Sequence, residues 1–138
     1  MNRSKNLYMV ESEKAVDQFV EDFSAVAEKN SFVINNADSM MMKLTFREHG
    51  GEVPDDFDLH MIQVCKPTKA DKSLTFNPER CILMPKFVHV FSENGKTQVR
   101  FLRYGPEHIN EMVPNDERFP ESLSQTFDTI CAMIEEAR

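Results

Sequence analysis

The chain has no tryptophan, four glycines and three cysteines in 138 residues. Four glycines leave no room for a glycine-rich phosphate cradle. No Walker loop, dinucleotide fingerprint or nucleophile elbow is present. The cysteines, Cys65, Cys81 and Cys131, are odd in number and form no Cys-x-x-Cys pair, which argues against a disulfide framework. They do not stand at zinc-site spacing from the four histidines either. No apolar run approaches the roughly 20 residues of a membrane span. Residues 1–8 are polar and basic, without the apolar centre of a secretion signal. The expectation is a cytoplasmic protein without a membrane partner. Positive charge is also scarce: 16 Lys and Arg face 23 Asp and Glu, for a net charge of −7. That balance argues against binding nucleic acid, which needs a clustered basic face.

What is present is a globular composition, 41% hydrophobic and 28% charged. The length suits one domain, residues 1–138. Residues 7–10 read as a strand, and Ser12 is placed to cap the helix that follows. Val16, Phe19, Val20, Phe23, Val26 and Ala27 recur at helical spacing and form one apolar stripe. Residues 32–34 read as a short strand. A helix is expected from Asp38 or Ser39 to Glu48, stopped by Gly50-Gly51. Its three adjacent methionines, Met40 to Met42, point about 100° apart on a helix and cannot converge on a metal alone. They read as packing residues.

Residues 57–65 form the clearest interior strand. A short helix over 68–76 and a turn at 77–80 lead to Pro85. Residues 86–91 and 97–103 read as a hairpin, because Asn94-Gly95 tolerates the positive φ of a tight turn. A short helix over 106–113 precedes a last helix opened by Pro120 and striped by Leu123, Phe127, Ile130, Cys131 and Ile134. The sum is an α+β, two-layer fold. It has a mainly antiparallel sheet of about five strands, two long helices on one face, and short helical inserts.

Two helices cover one face of such a sheet, yet the central strands are apolar on both. Phe57, Leu59, Met61 and Cys65 oppose His60, Ile62 and Val64; Phe87, His89 and Phe91 oppose Val88 and Val90. A half-exposed strand should alternate apolar and polar. The second face therefore needs a cover. The inserts at 38–49 and 68–84, a second subunit, or a small ligand in a groove would each supply one.

Charge is uneven along the chain. Residues 80–104 hold Arg80, Lys86, Lys96, Arg100 and Arg103 against Glu93 alone, enough for one small anion or for an exposed hairpin of solvated charges. His60 and His89 lie on strands of opposite face pattern. Brought together by register they would offer a metal or haem ligand pair. Cys65 and Cys81 have positive neighbours in Lys66, Arg80 and Lys86, the setting a reactive thiolate requires. Cys131 sits in an apolar helix stripe and reads as a small hydrophobe. The acidic pairs Asp55-Asp56 and Glu135-Glu136 read as solvated charges.

A family resemblance emerges from residues 57–102. Met61-Ile62-Gln63-Val64-Cys65-Lys66-Pro67, then Ala70, Leu74, Asn77-Pro78, Ile82-Leu83-Met84-Pro85, Val88-His89-Val90-Phe91, Asn94-Gly95-Lys96 and Val99 resemble the bacterial domain of unknown function 302. The flanks agree in element order. The resemblance implies a two-layer fold similar to one repeat of the TATA-box-binding protein, with no established reaction and no cofactor. Family members often carry a cysteine straight after the proline of the apolar step. Here Lys86 stands there, and Cys81 lies four residues before Pro85. Some relatives resemble fusions to sulfurtransferase-like domains, which implies sulfur or redox chemistry as an alternative.

These readings converge on a noncatalytic ligand-binding or assembly module. It is expected to self-associate as a dimer through the second sheet face. His60, Phe87, His89, Phe91 and Arg100 are expected to line that face or its rim, and a small apolar or anionic ligand is a possible occupant. Two alternatives stay open: thiol chemistry at Cys65 or Cys81, and haem or metal binding through His60 and His89.

Overall fold

The computed structural model describes residues 3–138. Five strands form one sheet: β1 (Leu7–Ser12), β2 (Val33–Ile34), β3 (Leu59–Cys65), β4 (Lys86–Glu93) and β5 (Lys96–Leu102). Their order is β1-β5-β4-β3-β2 and every pairing is antiparallel. The helices are α1 (Val16–Lys29), α2 (Met42–Glu48), α3 (Pro67–Phe76), α4 (Pro106–Met112) and α5 (Phe119–Ala137). A 3-10 helix, Pro78–Leu83, joins α3 to β4. The α+β, two-layer reading therefore holds, with a mainly antiparallel five-stranded sheet.

Period two in the strands and 3.6 in the helices builds the core. Ile62 and Val64 of β3, Val88 and Val90 of β4, and Val99 and Phe101 of β5 are buried on one sheet face. Val16, Phe19, Val20, Phe23 and Ala27 of α1 and Leu123, Phe127, Ile130, Met133 and Ile134 of α5 are buried in the same core. The rings of Phe127 and Phe101 pack edge to face with centroids 5.8 Å apart, linking α5 to the sheet. Asn94 and Gly95 take φ of 55° and 75°, so the β4–β5 hairpin closes in two residues from Glu93 to Lys96.

Two expected starts move. Ser12 is the last residue of β1, and its hydroxyl accepts the Lys14 N–H at 3.2 Å, inside the turn. The residue capping α1 is Ala15, which has no side-chain acceptor to offer. The second helix begins at Met42, later than Asp38 or Ser39, because residues before it are drawn into the sheet edge. Met41 bridges His60, and Met61 N–H donates to the Met40 carbonyl at 2.9 Å. Met40 then packs against the core.

The inserts are tied to the helix layer and the sheet edge, with Ile82 beside Phe87 and His89 at one end of the second face. Lys69 of α3 donates to Thr126 of α5 at 2.8 Å, and Arg80 of the 3-10 helix pairs with Asp116 just before α5. Both contacts hold the 68–84 segment in the helix layer. The 38–49 segment borders β3 at the sheet edge.

Candidate functional site

The outer sheet face is arranged in cross-strand rows fixed by the register. One row runs Met9, Arg100, His89, Met61; the next runs Glu11, Gln98, Phe91, Leu59. Phe87, Gln63 and Cys65 extend it toward one end. Most of these side chains are half-buried, sheltered by one another, while Leu102 beside them is 51% exposed. An open hollow of about 210 Å³ lies at the end of β4 and β5, with Ile82, Pro85, Phe87, His89, Leu102 and Tyr104 around it.

Polar groups on this face are held by local bonds. The Arg100 guanidinium donates to Gln98 Oε1 and to the Val99 carbonyl, each at 3.0 Å. It also lies 5.3 Å from the Phe91 ring centroid, a cation–π contact. Gln98 in turn donates to Glu11 at 3.2 Å. His89 stacks on Phe87 with centroids 6.2 Å apart. Burial pushes the His89 imidazole below its ordinary pKa, which keeps it neutral at pH 7.

His60 is the exception among the expected residues. It pairs with Val90, one position out of phase with the Met61–His89 pair, so His60 and His89 point to opposite faces. They cannot share a metal or a haem iron on one side of the sheet. His60 is 3% exposed on the core side, its Nδ1 3.4 Å from Asp58 and without a hydrogen-bond partner. Asp17, Asp58 and His60 each offer a donor atom within 4.8 Å of the others, so a cation on this side of the sheet would meet two carboxylates and one imidazole.

The basic residues of 80–104 do not converge on one anion. Arg80 binds Asp116, Lys96 reaches Glu11 and Glu13, Arg103 reaches Asp128, and Arg100 lies on the outer face. Lys86 turns into the helix layer, lining one cleft with Lys66 and Lys69. Sequence reasoning set Lys66 and Lys86 beside thiols and passed over Lys69. It also read Arg80 as solvated or anion-binding, whereas Arg80 is 8% exposed. A lysine straight after one proline and another straight before a second were the signals available.

The three thiols occupy three environments. Cys81 is exposed, Cys65 is half-buried and Cys131 is buried. The guanidinium of Arg80, next to Cys81, is spent on Asp116. Burial raises the pKa of Cys131, against a smaller pull from Arg103. Ellman titration of the native protein is expected to show Cys81 reacting first and Cys131 only after denaturation. Equal rates for all three would contradict these burials.

Comparison with known proteins places the fold. A model of the family described as "Domain of unknown function DUF302" matches residues 8–137. The chain is similar to the crystal structure of an uncharacterized conserved DUF302 protein from Bacillus stearothermophilus, with 18% identity and a TM-score of 0.79. The superposition covers 98% of this chain and 100% of the other. No curated protein matches the sequence. Among the described residues no helix is long and apolar enough to cross a membrane.

Proposed function

The chain belongs to the DUF302 family of domains of unknown function, and from that premise we propose that it is a noncatalytic assembly module that pairs with a second copy through its outer sheet face. The rows centred on Phe91, His89 and Arg100 carry this reading, because half of their residues are apolar and both long helices are spent on the opposite side. Apolar surface left in water is unfavourable in proportion to its area. Small ligands favour concave sites, whereas a face spread across four strands suits another protein surface.

The charge pattern favours a second copy as the occupant. At a net charge of −7, two copies repel one another over most of their surface. The outer rows hold one cation, Arg100, and one anion, Glu11, on adjacent strands. Repulsion is least where these faces meet. A two-fold axis also makes a neighbouring cation and anion self-complementary, each reaching its opposite across the interface.

His89 gives the pairing a pH dependence with a definite sign. Its imidazole is neutral at pH 7, and covering it disfavours the charged form further. Association is therefore full at neutral pH and weakens only as pH falls below the monomer's own His89 value, which already lies under the ordinary imidazole range. Light scattering coupled to size exclusion is expected to show a dimer at neutral pH that dissociates in mild acid. Phe91→Asp is expected to give a monomer at neutral pH with a melting temperature close to wild type, since Phe91 lies outside the buried core. A wild-type chain that stays monomeric at micromolar concentration and neutral pH would overturn the proposal.

A further inference from the structure

We propose that the cleft between α3, the start of β4 and α5 is a binding site for a small oxyanion, with Lys66, Lys69 and Lys86 as its cationic groups. All three line one cleft, together with the hydroxyls of Ser73, Ser122 and Thr126. The cleft lies on the helix side of the sheet and is independent of the outer face.

The charge in this cleft is uncompensated. Among the described residues, Lys14, Lys29, Lys96, Arg47, Arg80, Arg103 and Arg138 each have a carboxylate within 4.0 Å. Lys66, Lys69 and Lys86 have none; the same holds for Arg3, Lys5, Lys43, Lys72, Arg100 and Arg118, but only these three line one cleft. They also sit close enough to feel one another. Burial is the largest cause holding Lys69 and Lys86 below the ordinary lysine range; Lys66 adds to it at Lys69, and at Lys86 the push from Lys69 is smaller than the opposing pull of nearby Cys65. Like charges converging in a partly desolvated place cost free energy unless something of opposite sign joins them. No residue of the cleft lining is acidic.

The donors and the space agree on the kind of anion. Lys69 Nζ donates to Thr126 Oγ1 at 2.8 Å, and the Thr126 hydroxyl donates in turn to the Ser122 carbonyl at 3.2 Å. The Ser73 hydroxyl accepts from Arg80 at 2.9 Å, which leaves its proton free to be donated. Phe119 and Leu123, each 3% exposed, form an apolar part of the lining and lower the local dielectric. The room inside is about 30 Å³. One ordered water takes about 10–15 Å³ on that measure. The cleft thus admits the charged end of a molecule, a phosphoryl or carboxylate group, with the remainder outside. Lysine suits this role as a compact point charge with three donors.

Thermal unfolding of the full chain in sodium chloride, inorganic phosphate and acetate at matched ionic strength tests the site. Phosphate or acetate, or both, is expected to raise the melting temperature over chloride in a saturable way, and the stronger of the two identifies the head group. Lys86→Met is expected to weaken the response about tenfold, the equivalent of ~1.4 kcal/mol. It is also expected to leave the anion-free protein at least as stable as wild type, because an unpaired charge gives way to an apolar chain of similar length. Lys72→Met, on α3 outside the cleft lining, is expected to keep the full response. Equal melting temperatures in all three salts, or a response that Lys86→Met retains, would overturn the site. Neither result touches the dimer, which is read by its mass.

Discussion

Asp116→Ala is expected to cost about 3–5 kcal/mol of folding stability, the usual penalty for removing one partner of a buried ion pair. Both Asp116 oxygens are engaged by Arg80: Nε reaches Oδ2 at 2.7 Å and Nη2 reaches Oδ1 at 2.8 Å. Asn77 adds a bond at 2.8 Å, and the Phe119 N–H adds one at 3.2 Å. The last of these satisfies an orphan donor at the start of α5. The Arg80 guanidinium lies 4.9 Å from the Phe76 ring centre and 4.8 Å from that of Phe119. Removing the carboxylate leaves this cation buried without a counter-ion. At roughly 2–4 °C per kcal/mol for a chain of this size, the melting temperature should fall on the order of 10 °C. Replacing both residues, Arg80→Met with Asp116→Leu, should restore much of the loss. A single mutant that melts with wild type would mean that water, and not the rings, surrounds Arg80.

The same carboxylate makes a prediction about acid. The Arg80 guanidinium holds the Asp116 carboxyl well below the usual carboxylate range, with help from Asn77 and the Phe119 amide. A depressed folded-state pKa contributes stability that is full above the unfolded value of about 3.9 and is lost as pH falls below it. Urea midpoints measured downward from pH 5 should drop more steeply in wild type than in the double replacement.

Phe101→Ala is the second large effect, at about 3–5 kcal/mol for an aromatic removed from a core. Phe101 is 1% exposed, lies between Tyr8 and Val88 in the sheet, and packs edge to face with Phe127. The next residue reverses the outcome. Leu102 faces the outer side and is 51% exposed, so Leu102→Asp should leave the melting temperature near wild type and reduce the dimer in light scattering. Adjacent substitutions thus separate folding from assembly. If Leu102→Asp unfolds the chain while Phe101→Ala does not, the two faces have been assigned the wrong way round.

The readable parts of this chain were those that local chemistry decides. The stripes of α1 and α5 repeat over enough turns to fix a buried side, and Asn94-Gly95 specifies its turn by backbone sterics alone. Ser12 looked like a helix cap because side-chain caps are recognised by residue type, whereas β1 claims it through pairing with Thr97. Residues near Met41 looked helical until the edge of β3 supplied backbone partners. The site was harder, because it depends on register. Phe87, His89, Phe91 and Arg100 share one face as their spacing suggested, but a one-residue offset between β3 and β4 sends His60 to the other. Lys66, Lys69 and Lys86 meet because a helical detour of about 20 residues returns the chain to where it left β3. No local pattern records that return.

β1 is synthesised about 90 residues ahead of the strand it pairs with. Residues 7–12 pair with residues 97–102, and with no other strand. Ribosomes add roughly 5–20 residues per second, so β1 emerges and waits on the order of several seconds for its partner to be synthesised. During that interval Leu7, Met9 and Val10 travel on a nascent chain with an unfilled ladder of amides and carbonyls, open to mispairing until residues 97–102 arrive.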